Sequence, residues 1–177
     1  MPKTNPLKPA KLFSIATKTG RVTIKYPFEE PLVSPEFRGL IKINHEKCIG
    51  CGACVNACPP NALEMLRSED KKVLRYYAGR CIFCWRCVEV CPVGAIEGTR
   101  EFELATNDPF DLYAYVIHSV FKCKSCGRLV ETVRMKNYVV SKAPLSEDYV
   151  LLCPECRKKA LIKAVSARRA GPGWNVE

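Results

Sequence analysis

Eight cysteines between positions 48 and 91 repeat one spacing. Cys48, Cys51, Cys54 and Cys58-Pro59 are followed by Cys81, Cys84, Cys87 and Cys91-Pro92, each set reading C-x2-C-x2-C-x3-C-P. Three thiolates on one tight loop suit three irons of a cubane cluster, and the fourth, just ahead of a proline, suits the other cluster. The spacing therefore predicts crossed ligation. Cys48, Cys51, Cys54 and Cys91 hold one [4Fe-4S] cluster, and Cys81, Cys84, Cys87 and Cys58 hold the second. Four thiolates per cluster leave no iron open to a substrate, so the implied chemistry is one-electron transfer without bond making. No catalytic residue is assigned. Zinc is the main rival occupant, and iron and sulfide analysis separates the two.

Four further cysteines form the pairs Cys123/Cys126 and Cys153/Cys156, with 26 residues between the pairs. Two C-x2-C knuckles suit a tetrahedral structural metal, with zinc the first candidate and a mononuclear, rubredoxin-like iron the alternative. The apolar content around them is thin, so the metal is expected to supply much of the folding free energy there. A disulfide framework is the bland reading of twelve cysteines, but the x2 and x3 spacings suit metal better. Thiols kept for metal imply a reducing compartment, which points to the cytoplasm.

The elements that position these ligands follow from the local pattern. The two halves of the cassette match at an offset of 33 residues, pairing Lys47 with Arg80, Ile49 with Ile82, Val55 with Val88, Ala62 with Ala95 and Glu64 with Glu97. Such a repeat supplies the pseudo-twofold axis that crossed ligation needs. A short helix is expected between the third and fourth cysteine of each motif, and a strand after each Cys-Pro (62–65 and 95–98). Residues 73–77 add a further strand after a polar turn at 68–72. Ile49, Val55, Ile82, Phe83 and Val88 are natural covers for the clusters, whereas Trp85, between two ligands, is expected to face solvent or a neighbouring subunit. Residues 112–121 suit a strand that delivers Cys123, residues 131–142 either a helix or a strand, with the helix preferred, and residues 157–169 a helix stopped at Gly171-Pro172-Gly173. The histidines, His45 and His118, are read as surface or packing residues.

The first 28 residues contain Lys3, Lys8, Lys11, Lys18, Arg21 and Lys25 with no acidic residue. They suggest a mobile start, a short amphipathic turn around Leu12, Phe13 and Ile15, a strand over 21–26 and an extended proline-rich segment to Pro35. The arm has little core of its own and needs something to lie on. The formal charge is +10; two clusters and a tetrathiolate zinc, each 2−, bring it to about +4. That balance favours an acidic partner surface. No apolar run approaches the ~20 residues of a membrane span.

Thr19-Gly20-Arg21 through Tyr26-Pro27, Pro31, Phe37-Arg38-Gly39 and the double cassette together resemble the small two-cluster subunit shared by respiratory complex I and the membrane-bound [NiFe] hydrogenases. The resemblance is nearer to the formate hydrogenlyase and hydrogenase-4 type, which also carries a cysteine-rich C-terminal extension. It implies an α+β chain: a bacterial-type 2[4Fe-4S] ferredoxin domain (40–101) with an extended N-terminal docking arm (1–39) and a C-terminal, metal-ribbon-like four-cysteine module with a basic helix (102–177). It further implies a non-catalytic electron relay within a membrane-associated complex, bound to the hydrogenase large and small subunits and other iron–sulfur subunits, peripheral on the cytoplasmic side of the membrane. Two other classes remain at this point. One is a free ferredoxin-like carrier with a zinc module, and the other a nucleic-acid-binding iron–sulfur protein, suggested by the basic flanks Lys122, Lys124, Arg128, Arg157, Lys158 and Lys159. No stacking platform or recognition helix supports the second, so nucleic acid is not an expected partner.

Overall fold

The computed structural model of the chain describes residues 7–20 and 22–169, which divide into one unit ending at Phe37 and another beginning at Arg38. In the first unit, helix α1 (Leu7–Thr19) takes up thirteen residues where only a short turn was expected. Pro9 lies in its first turn, where a missing N–H costs no intrahelical bond, so the proline-rich start does not forbid a helix. Its Leu12, Phe13 and Ile15 are exposed. The strand expected over 21–26 does not form over 22–26, and its first residue, Arg21, lies outside the described residues. With no neighbouring strand among the described residues to satisfy its backbone, the alternation of Val22, Ile24 and Tyr26 is not enough. The chain instead turns, Phe28 and Glu29 both donating to the Lys25 carbonyl. Residues 1–6, where a mobile start was expected, and the expected glycine stop at 171–173 also lie outside the described residues.

The second unit carries the cysteines. β1 (Ile41–Ile43) pairs antiparallel with β4 (Ile96–Gly98), joining the start of the cassette to its end. β2 (Leu63–Arg67) and β3 (Lys71–Tyr77) form the hairpin anticipated between the motifs, closed by Ser68 N donating to Lys71 O at 2.9 Å. Short helices α2 (Ala53–Asn56) and α3 (Arg86–Glu89) occupy the two intervals before the fourth cysteines. The repeat extends to the backbone: left-handed φ occurs at Gly50 and Phe83, at Gly52 and Trp85, and at Asn61 and Gly94, each pair 33 residues apart. Bulky residues avoid this region, so Phe83 and Trp85 are held there by the loop's wrap rather than by preference.

The sheet does not stop at the hairpin. After a 3-10 turn at Pro109–Leu112, capped by the Asp108 carboxylate, β5 (Tyr113–Lys122) runs along β3 with Leu74 opposite Val116 and Lys72 opposite His118. β6 (Leu129–Thr132) then pairs with β5 and leads into α4 (Val133–Lys142), whose N-cap is Thr132. α5 (Glu147–Val150) and α6 (Pro154–Arg169) complete the described chain. The helix expected over 131–142 thus begins at Val133, because residues 129–132 close the sheet. The core comprises Ile41, Ala62, Leu63, Leu74, Tyr76, Ala95, Ile96 and Val116, with buried cysteines among them.

Candidate iron–sulfur and metal centres

Two apolar cavities lie in the cassette. The first is lined by Cys48, Cys51, Cys54 and Cys91, the second by Cys58, Cys81, Cys84 and Cys87. Each combines three cysteines of one motif with the fourth of the other. The local reason is the same in both halves. Ala62 N donates to Cys58 Sγ at 3.2 Å and Ala95 N to Cys91 Sγ at 3.1 Å, so the turn after each Cys-Pro fixes the fourth sulfur apart from its own loop.

As bare thiols the buried Cys54 and Cys87 are poorly placed for ionisation. Burial first, and then the charges of Cys48, Cys51, Cys87 and Cys91, push Cys54 up to about 12. Burial followed by Cys81, Cys58 and Cys84 pushes Cys87 up to about 11. Converging thiols in an apolar site fit a cationic, thiophilic iron centre, which offsets the repulsion that free thiolates would suffer. The Tyr76 hydroxyl, buried beside the second cavity with no partner in hydrogen-bond geometry among the described residues, is a donor available to a sulfur-rich group. Burial, and then the nearby Cys81 sulfur, push its pKa up, so it stays protonated.

The surroundings of the two cavities differ. Around the second, Trp85 is half-buried against its own chain rather than turned fully to solvent. Its Nε1 donates to Gly39 O at 2.9 Å, and a Cβ added at Gly98 would lie 2.5 Å from its Cε2. Gly98 supplies the space, and the Gly39 carbonyl supplies the acceptor that a buried indole needs. The Arg38 guanidinium lies 5.8 Å from the indole centroid and donates to Cys84 O at 3.0 Å. Ile49 is buried and Val55 and Val88 pack on the core, as covers should, whereas Ile82 borders the second cavity from an exposed position.

Residues from beyond the cassette close over the first cavity. Thr132, fully buried, donates its hydroxyl to Ile49 O. Arg134 donates to the His45, Glu46 and Cys48 carbonyls. His118, 2% exposed, places Nε2 3.5 Å from Cys48 Sγ. None of the three was singled out from the sequence as a site residue. His118 had a readable signal, since it is in phase with Val116 and Val120 on β5 and so points to the buried face. Burial, then Arg134 and Lys72, hold the His118 pKa down, which keeps the ring neutral. His45 is exposed, as expected.

The distal cysteines converge as well. The sulfurs of Cys123, Cys126, Cys153 and Cys156 all lie within 4.8 Å of one another, and Cys126 and Cys153 are 3.6 Å apart. Tetrahedral zinc with Zn–S bonds of ~2.3 Å places its sulfurs about 3.8 Å apart, so the cluster needs little adjustment to close on a metal. β5 delivers Cys123, and the start of α6 delivers Cys156. Cys153 N donates to Cys123 Sγ at 3.2 Å and Cys156 N to Cys153 Sγ at 3.4 Å. The first of these bonds leads the set of local N–H donors that hold Cys123 down to about 6, which favours the thiolate form that a metal takes.

Residues 41–97 match the 4Fe-4S dicluster domain family. Over 156 residues the chain is 39% identical to formate hydrogenlyase subunit 6 of Escherichia coli K12, covering 82% of this chain and 87% of that protein. The chain belongs to the formate hydrogenlyase subunit 6 family. Shorter matches connect this family member to NAD(P)H-quinone oxidoreductase subunit I: 46% identity over 98 residues in Trichodesmium erythraeum and 47% over 98 in the chloroplast protein of Psilotum nudum. The chain spans 47% and 59% of those two proteins, about half their length. A solved structure, the membrane-bound sulfane sulfur reductase, an archaeal respiratory membrane complex, is similar at 36% identity with a TM-score of 0.47, over 61% of this chain and 59% of its own.

As a family member with a dicluster domain, the chain is an iron–sulfur protein of electron transfer. A [4Fe-4S] cluster supplies a one-electron redox site that needs no substrate coordination. To such a group the polypeptide would offer the converging cysteine sulfurs, with the Ala62 and Ala95 N–H groups donating to two of them and apolar walls limiting water. Among the described residues no helix is long and apolar enough to cross a membrane.

Proposed function

We propose that the chain is the electron-relay subunit of a membrane-associated, formate hydrogenlyase-like [NiFe] hydrogenase complex, carrying two crossed [4Fe-4S] clusters. Cys48, Cys51, Cys54 and Cys91 hold the first, and Cys81, Cys84, Cys87 and Cys58 hold the second. Cys123, Cys126, Cys153 and Cys156 hold a structural zinc, with mononuclear iron as the alternative. The observation that carries the subunit reading is the 39% identity running through 82% of the chain, well beyond the cassette itself. The crossed assignment is supported by the two cavities, each lined by three cysteines of one motif and the fourth of the other.

On this reading 40–101 is the electron-carrying domain, 1–39 a docking arm and 102–177 a metal-stapled module. The exposed Leu12, Phe13 and Ile15 of α1 and the exposed Val22, Phe28 and Leu32 beyond it suit an arm that is covered by partners. The partners are the hydrogenase large and small subunits and further iron–sulfur subunits, which hold the chain peripherally at the cytoplasmic face of the membrane.

Purification from its native host under anaerobic, mild-detergent conditions tests this. The chain should be recovered with a [NiFe] hydrogenase and membrane subunits, identified by mass spectrometry. Quantitative recovery as a lone 19.9 kDa species would sink the subunit reading and favour a free ferredoxin-like carrier.

A further inference from the structure

We propose that His118 is a positioning residue for the first cluster, its Nε2–H donating to the Cys48 thiolate and raising that cluster's reduction potential. The inference rests on the two-cluster reading above, and iron content distinguishes failure of that reading from failure of this one.

His118 comes from β5, 70 residues along the chain from Cys48, yet its Nε2 lies 3.5 Å from the Cys48 sulfur. The loop is shaped to admit the ring. A Cβ at Gly50 would lie 2.7 Å from Thr132 Cγ2 and 3.0 Å from His118 Cδ2, so a side chain there would displace both. The pseudo-equivalent position in the second motif is Phe83, which carries its own side chain in the same left-handed conformation. The first motif thus leaves open the space that His118 and Thr132 fill from the neighbouring sheet. Arg134 and Thr132 bind the Cys48 and Ile49 carbonyls, which holds the loop in register with the ring.

The tautomer follows from the contacts. His118 Nδ1 is buried without a partner among the described residues. A proton there would be an unsatisfied buried donor and would leave the Nε2 lone pair against a thiolate. A proton on Nε2 avoids both penalties and makes a charge-assisted bond. An N–H dipole directed at a ligand sulfur stabilises the more negative, reduced form, and so raises the potential.

The test uses the full holo-chain labelled with 15N-histidine, reduced anaerobically and examined by pulsed EPR. The chain has two histidines. A histidine-15N coupling to one reduced cluster should appear, persist in His45→Gln and vanish in His118→Leu; its absence from the unsubstituted chain overturns the proposal. In redox titrations, His118→Leu should lower the reduced-to-oxidised ratio of the first cluster about tenfold at fixed potential, ~59 mV for a one-electron couple. The first cluster is identified as the one retained in Cys58→Ala. His118→Gln keeps a donor and should recover most of the shift. An unchanged potential in a His118→Leu chain of full iron content, or equal shifts in both clusters, contradicts the proposal. If His118→Leu loses iron, the coupling in the unsubstituted chain decides.

Discussion

Cys58→Ala is expected to remove the cluster of the second motif while leaving that of the first. Cys58 belongs to the first motif in sequence, but it lines the same cavity as Cys81, Cys84 and Cys87. The Ala62 N–H fixes its sulfur there, just as the Ala95 N–H fixes Cys91 in the other cavity. Loss of one thiolate leaves a cubane with an unligated iron in a site where the Cys87 thiol resists ionisation through burial. Iron per chain should fall from about eight to about four, and one of two EPR signals of the reduced protein should disappear. Cys91→Ala should remove the other signal. If Cys58→Ala instead abolished the first-motif cluster and spared the second, ligation would be within each motif and the crossed assignment would be wrong.

The second large effect is expected at the distal centre. Cys123 and Cys153 are each 4% exposed, but the apolar side chains around them are not enclosed. Leu145, Tyr149, Leu161, Ile162 and Val165 are all exposed, and α4 and α5 contain no buried residue. With so little apolar burial, a tetrathiolate metal at this site is expected to supply most of the free energy that orders residues 123–169. Cys153→Ser should lose the metal and increase protease cleavage within 123–169 about tenfold or more. The ladder between β3 and β5 should survive, because its seven paired positions and the Leu74–Val116 core do not depend on the metal. Thr132 and Arg134 lie within this region and bind the Cys48 loop. The first cluster should become more oxygen-sensitive than the second. Equal sensitivity, or unchanged cleavage in a metal-free variant, would contradict a structural role for the site.

Legibility in the sequence divided along physical lines. The cysteine spacings, the 33-residue repeat, helices α2 and α3 and the β2–β3 hairpin could all be read, because each depends on residues close in the chain. β5 was readable from the β-branched and aromatic residues before Cys123. Contacts between distant segments were not. Trp85 looked like an interface residue because neither the Gly39 carbonyl nor the open space at Gly98 can be paired with it from spacing alone. His118 was passed over for the same reason: its inward phase was visible, but not that β5 would run along β3 and bring the ring to Cys48. The strand expected over 21–26 failed in the opposite direction, since an alternating pattern says nothing about whether a partner strand exists. At α1, three prolines near the start obscured a helix that tolerates Pro9 in its first turn.

The central claim is that the cassette holds two iron–sulfur clusters and the distal cysteines one structural metal. Iron, acid-labile sulfide and zinc should be measured on the chain isolated anaerobically from its native host. About eight irons, about eight sulfides and about one zinc per chain are expected. A chain containing about three zinc ions, with neither iron nor sulfide, would contradict the account, because the same twelve thiolates would then be purely structural ligands.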